Sequence, residues 1–225
     1  MRVHVAFTPD EEAAAPVGIV VDVLRATSTI AQALASGYRR VLCCAEIEDA
    51  LALRAKIPGS LVGGERKAVR IEGFDVGASP REFLEPVAET LILSTTNGTR
   101  AILEAADRCD DVFLGSLLNL NAVAETAAGK DAVIVCAGFQ GAFALDDAYC
   151  VGRIVQLLDA ERTDAAIAAE LVAHAFPSAL DGLNARTYGP PGLEEDIAFC
   201  ARENVLDAVP RLVGRVGPAA EIALG

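Results

Sequence analysis

Apolar and polar positions follow two rhythms along the chain. Short apolar runs at Arg2–Phe7, Val17–Val23, Val41–Ala45, Ser60–Val62, Thr90–Thr95, Asp111–Leu114 and Ala132–Cys136 read as strands. Between them, helical spacing predicts helices over Thr27–Ser36, Glu46–Lys56, Asn97–Arg108 and Asn121–Ala128. The first of these opens on the hydroxyls of Thr27, Ser28 and Thr29 and stops at Gly37, which matches cap chemistry at both ends. From Leu145 onward the pattern is helical. Val151, Ile154, Val155 and Leu158 form one apolar stripe, and further helices are expected over Asp164–Ala175, Ser178–Asn184 and Leu193–Glu203. Strand–helix alternation over the first two-thirds predicts an α/β fold with a mainly parallel sheet. No linker, low-complexity tract or short repeat divides the chain. Residues 1–225 are therefore expected to form a single domain, with a helical C-terminal third (about 145–225) packed on the same sheet.

In open parallel sheets, ligands bind outside the carboxyl ends of the strands. Here those ends are rich in groups that hold anions and hard cations. Asp22 leaves a strand, Arg25 follows, and Thr27, Ser28 and Thr29 open a helix, whose N-terminus favours an oxyanion. Asp22 suits Mg²⁺, which prefers oxygen ligands, and Arg25 suits a phosphate or sulfonate. The plainer reading of this segment is a capped helix with an Asp–Arg pair on its shoulder. Gly63-Gly64-Glu65-Arg66 repeats the carboxylate–guanidinium pairing beside two glycines, though it also reads as a turn with a surface ion pair. Asp75 sits in the glycine-rich loop from Gly73 to Pro80. The segment from Ser94 to Arg100 gathers hydroxyls and an amide around Gly98. It is equally a polar turn with an Asn cap, or a cradle that grips an anion through hydrogen bonds. Asp146 and Asp147 either complete a metal site or favour a helix start.

Composition narrows the chemistry. With 19 basic and 32 acidic residues the formal charge is 19 − 32 = −13, so nucleic acid and anionic membrane surfaces are not expected partners. An anionic substrate would need local arginines or a cation to reverse that field. The aromatic fraction is 5% with no Trp, which leaves no platform for stacking bases. No apolar run approaches the roughly 20 residues of a membrane span. The N-terminal residues turn acidic too soon for a signal peptide. The six cysteines show no metal-ligand spacing and read as small core residues, which points to a cytoplasmic location.

Several phosphatase routes are excluded. There is no Cys-x5-Arg. The only histidines, His4 and His174, lie outside an Arg-His-Gly context, and their scarcity disfavours zinc. No P-loop pattern is present. Position 24 is Leu, so Asp22 lacks the second Asp of the haloacid dehalogenase pattern. Oxygen-ligated Mg²⁺ with arginine and hydroxyl groups remains.

Taken in order, DVLRATSTI (22–30), GGERK (63–67), GFDVGASP (73–80), STTNGTRA (94–101) and CAGFQGAFALDDAYCVG (136–152) resemble the 2-phosphosulfolactate phosphatase family. The stretch from Ile197 through Pro210 is similar to its C-terminal segment. The resemblance runs from about Val17 to Pro210. It implies a three-layer α/β/α fold and a Mg²⁺-dependent acid phosphatase that converts 2-phospho-3-sulfolactate to 3-sulfolactate and phosphate, with a role in sulfonate or coenzyme M metabolism. On this basis Asp22, Arg25, Arg66 and Asn97 are the expected catalytic residues. Thr27, Ser28, Thr29, Thr99 and Arg100 are expected to bind substrate. Asp22, Glu65, Asp75 and Asp147 are the candidate Mg²⁺ ligands. The expected partner is a small anionic phosphorylated substrate, and a homo-oligomer fits a soluble metabolic enzyme. Two alternatives stand beside this reading: a phosphatase acting on another small phosphorylated hydroxy acid, and a non-catalytic anion binder. The carboxylates argue against the second, since an anion binder gains nothing from acids unless a cation is present.

Overall fold

The structure, a computed structural model, describes residues 1–189 and 191–225. In chain order its strands and helices are β1 (Arg2–Ala6), β2 (Ala15–Val21), α1 (Ala26–Ser36), β3 (Arg40–Cys44), α2 (Ile47–Lys56), β4 (Leu61–Arg66), β5 (Val69–Arg70), β6 (Thr90–Ser94), α3 (Gly98–Ala106), β7 (Cys109–Gly115), α4 (Leu120–Thr126), β8 (Ala132–Cys136), α5 (Leu145–Leu157), β9 (Glu161–Arg162), α6 (Asp164–His174), α7 (Ala179–Asn184), α8 (Glu194–Cys200), β10 (Pro210–Val216) and β11 (Ala219–Leu224). The strands form one sheet in the order β5-β4-β6-β3-β11-β10-β7-β2-β8-β1-β9. Two parallel blocks, β4-β6-β3 and β7-β2-β8-β1-β9, flank an antiparallel hairpin, β10–β11. The fold is α/β with a mostly parallel sheet in three layers, as the sequence implies.

Alternation along the strands assigns the layers. Val17, Ile19 and Val21 of β2 pack with α4, α5 and α6 on one face, while Val20 packs with α1 and α3 on the other. Strand β3 does the same: Val41 and Cys43 face α1 and α3, whereas Leu42 and Cys44 face α2. Strands β2, β6 and β8 are buried on both faces, which is why they read as unbroken apolar runs. All six cysteines are free and all but Cys109 are buried. Burial pushes the Cys44 and Cys200 thiols up to about 12, so these groups are inert packing atoms. No helix among the described residues is long and apolar enough to cross a membrane.

One expectation fails. The C-terminal third is helical only as far as α8. Pro210–Val216 and Ala219–Leu224 are strands, and they enter the middle of the sheet between β7 and β3. The turn joining them has Gly217 in the left-handed region (φ 59°) ahead of Pro218, a Gly-first hairpin turn. The Ala and Glu residues of β11 are poor strand formers, yet they pair because burial of Ala219, Ala220 and Ile222 outweighs that preference.

Candidate active site

The N-termini of α1 and α3 meet where β2 and β6 end. After β2 the chain passes Asp22 and a cis Leu24–Arg25 peptide into α1. After β6 it passes Thr95, Thr96 and Asn97 into α3. A Cβ placed on Gly98 would lie 2.4 Å from Ala26 Cβ and 2.6 Å from Asp22 Oδ2, so only glycine lets the two helices start this close together.

This junction floors a cavity of about 320 Å³, at the small end of ligand pockets. Asp22, Glu65 and Asp146 bring carboxylates to it. Thr95, Thr96 and Asn97 bring hydroxyl and amide groups, and Arg25, Lys67 and Arg186 bring positive charge. Asp22 is 7% exposed, and its Oδ1 accepts from the Ala26 N–H at 3.2 Å. Burial, then the charges of Glu65 and Asp146, push its carboxyl up to about 7 against the pull of the Ala26 N–H and Arg25. Glu65 is held by the Thr96 N–H and hydroxyl, both 2.9 Å from Oε1, and by the Ala68 N–H at 2.6 Å from Oε2. Asp146 is buried, which raises its pKa. The Tyr188 hydroxyl, the Asp147 N–H and Arg186 draw it back. The Tyr188 ring stacks on Phe139, with centroids 4.3 Å apart, and the pair walls one side of the cavity. Arg25 Nη1 donates to Asp196 Oδ2 at 2.6 Å and Nη2 to the Ala68 carbonyl at 3.3 Å, so the guanidinium is fixed before any ligand arrives.

Of the residues singled out in the sequence, Asp22, Arg25, Glu65 and Asn97 line the cavity. The others sit elsewhere. The hydroxyls of Thr27, Ser28 and Thr29 are fully buried and donate to the carbonyls of Asp22, Val23 and Ala78 at 2.8–2.9 Å. They shape the β2–α1 loop and do not line the cavity. Thr99 is buried against the Thr95 hydroxyl at 3.1 Å, one layer behind the cavity. Arg66 donates to the carbonyls of Glu65 and Ala45 and to Ser94 Oγ, clamping three segments together. Arg100 lies on the surface in ion pairs with Asp10 and Glu104. Asp75 accepts from the Val62 N–H and Arg54 at 2.9 and 2.8 Å, away from the site. Asp147 is buried with Oδ1 on the Val23 N–H and Oδ2 on the Gly138 N–H, tying α5 to the ends of β2 and β8. Asp146, and not its neighbour, carries the carboxylate of the pair to the cavity.

Lys67, Arg186 and Tyr188 were not anticipated. Lys67 occupies a left-handed turn, and Arg186 and Tyr188 follow α7, far in sequence from every strand end. An Arg-x-Tyr-Gly run is common enough to carry no signal on its own.

Among the described residues, no three Asp, Glu, His or Cys side chains form a closed cage for a metal. Mg²⁺ does not require one, because it keeps several waters and takes one or two carboxylates plus substrate phosphate oxygens. Burial, and after it the repulsion from Glu65 and Asp146, raises the Asp22 pKa; a divalent cation would relieve that repulsion, and the donors are all hard oxygens. The residues present therefore fit the ion.

The chain is similar to known proteins along most of its length. Residues 4–215 match the family model described as 2-phosphosulpholactate phosphatase. A relative from Thermus thermophilus is 38% identical over 233 residues, covering 97% of this chain and 98% of its own. Relatives from Caldanaerobacter subterraneus and Clostridium acetobutylicum are each 39% identical over 209 residues, covering 86% of this chain and 86% and 88% of their own. All three bear the name "Probable 2-phosphosulfolactate phosphatase". The chain belongs to the 2-phosphosulfolactate phosphatase family.

Proposed function

We propose that this chain is a Mg²⁺-dependent phosphatase that hydrolyses 2-phospho-3-sulfolactate to 3-sulfolactate and phosphate. The observation that carries the reading is one cavity in which buried Asp22 and Asp146 and half-buried Glu65 are gathered with a fixed Arg25 at the abutting N-termini of α1 and α3. In the reaction the ester P–O bond breaks, a P–O bond to a water oxygen forms, and the departing alkoxide takes a proton.

Asp22, Glu65 and Asp146 would hold the ion, directly or through water. When bound, it supplies charge neutralisation on the phosphoryl oxygens. Arg25 offers a pre-positioned guanidinium to the same oxygens, and its orientation is set by Asp196. Thr95, Thr96 and Asn97 add short, rigidly placed donors and acceptors at the start of α3. The Phe139–Tyr188 stack excludes water from one side, which strengthens each of these polar contacts. Such preorganisation carries most of the work in phosphoryl transfer, where there is little covalent chemistry for side chains to do.

The six free thiols support a reducing compartment, and we place the enzyme in the cytoplasm. The test of function is phosphate release from 2-phosphosulfolactate with Mg²⁺ and with a chelator, beside other phosphorylated hydroxy acids. Mg²⁺-dependent turnover that prefers the sulfonated substrate is expected. Preference for another substrate would keep the chemistry and discard the substrate. Ligand binding with no turnover would replace the enzyme by a binding protein.

A further inference from the structure

Two of the three cations on the cavity make no ion pair among the described residues. Arg25 is matched by Asp196. Lys67, at φ 54° in the turn between β4 and β5, lines the cavity and makes no ion pair among the described residues. Arg186 likewise makes no ion pair there. Its Nη1 donates to the Tyr188 carbonyl, and a Cβ on Gly189 would come within 2.3 Å of that nitrogen, so the guanidinium is seated against bare backbone. Its Nε is buried and has no acceptor among the described residues. Anchoring through Nη1 satisfies one donor and leaves the guanidinium without an ion-pair partner among the described residues, and a guanidinium pairs with acid groups through charge-assisted hydrogen bonds. A buried donor with no partner costs free energy unless a ligand supplies the acceptor.

Resting on the proposed phosphatase reading, we propose that Arg186 and Lys67 form a specificity subsite for the substrate's acid groups remote from phosphorus. A phosphate monoester with no other charge would be served by Arg25 and the carboxylate-held ion alone. Two further cations on the cavity, neither ion-paired among the described residues, are required only when the substrate carries further anions. A carboxylate and a sulfonate on one small molecule meet that requirement. With a net charge of −13, the chain's overall field repels such a molecule, so local cations must offset it. The subsite therefore selects poly-acid phosphates and disfavours neutral-tailed ones, whose binding would leave Arg186 and Lys67 without an anion to match.

The experiment compares kcat/KM for 2-phosphosulfolactate and for phenyl phosphate, which has no second acid, in wild type, Arg186→Gln and Lys67→Gln. Loss of a charged hydrogen-bonding partner is expected to cost about 10- to 100-fold. The proposal predicts that the loss on 2-phosphosulfolactate exceeds the loss on phenyl phosphate by at least tenfold in both variants. Equal losses on the two substrates, or no loss, overturn it. Lys67 is exposed, so Lys67→Gln carries the test if Arg186→Gln does not fold. Calorimetric binding of 3-sulfolactate separates this proposal from the reading it rests on. If wild type releases no phosphate from either substrate, the phosphatase reading fails. The subsite then stands if both variants weaken sulfolactate binding tenfold or more, and falls if they bind it as wild type does or if wild type does not bind it.

Discussion

Gly98 occupies a position where any side chain would collide with Asp22: its added Cβ would lie 2.6 Å from Asp22 Oδ2 and 2.4 Å from Ala26 Cβ. Asp22 is tied by its Oδ1 to the N–H of Ala26, the first residue of α1, so neither neighbour can yield without moving the carboxylate. Gly98→Ala is expected to destabilise the fold by about 1–3 kcal/mol through overpacking. It should also lower kcat/KM by about 10²-fold, since a displacement near 1 Å at a reacting centre has that effect. Urea unfolding and steady-state phosphate release check the two numbers separately.

Asp146 and Asp147 are adjacent in sequence and opposite in role, and two substitutions separate them. Asp147→Ala strands the buried N–H groups of Val23 and Gly138 and should cost about 2–5 kcal/mol of stability. Asp146→Asn removes one charge from a repulsive cluster. The metal-free protein should melt at the same temperature or higher, while the rise in melting temperature on adding Mg²⁺ shrinks sharply. A melting series with and without Mg²⁺ reads both effects.

The acid cluster also sets a pH dependence. The folded-state pKa of Asp22 stands at about 7 against an ordinary value of 3.8, and Asp146 and Asp147 are raised as well. A raised carboxyl favours the fold when protonated. Its contribution is fully present below about pH 4 and is lost as pH rises through about 7. Metal-free protein should therefore gain stability from this cluster between pH 8 and pH 5.5. Mg²⁺ should stabilise it most at pH 8, where the carboxylates are bare, and least at pH 5.5. A Mg²⁺ effect that grows on acidification would contradict the assignment.

Arg25 and Arg100 both follow conspicuous motifs, but only Arg25 reaches the cavity. Arg100→Ala removes a half-exposed surface pair, the kind worth about 0–1 kcal/mol, and should leave kcat/KM within about threefold of wild type. Arg25→Gln should lower it by 10²-fold or more, because the cavity loses a fixed cation while buried Asp196 loses one of its partners.

Much of the architecture was legible because fully buried parallel strands write themselves as apolar runs. Val17–Val21, Leu91–Leu93 and Ala132–Cys136 left little ambiguity. The hairpin β10–β11 was not read, since Ala219-Ala220-Glu221 carries no strand preference. The clue that existed was Gly217-Pro218 between two short apolar stretches. At the site, position after a strand identified Asp22, Arg25, Glu65 and Asn97. Residue type could not tell a hydroxyl that faces a ligand from one that caps its own backbone, and so Thr27, Ser28 and Thr29 were misjudged. Nor could it choose between Asp146 and Asp147 at the start of one helix, where the direction of each side chain decides. Arg186 and Tyr188 reach the cavity from a segment that follows α7, through tertiary packing that local pattern does not encode.

The central claim is that Asp22, at the junction of α1 and α3, is the carboxylate on which phosphate-ester hydrolysis depends. Phosphate release from 2-phosphosulfolactate by Asp22→Asn, at saturating Mg²⁺ and beside wild type, tests it most directly. The account predicts a fall in kcat of about 10³-fold or more with the fold intact by circular dichroism. Turnover near the wild-type rate would contradict it.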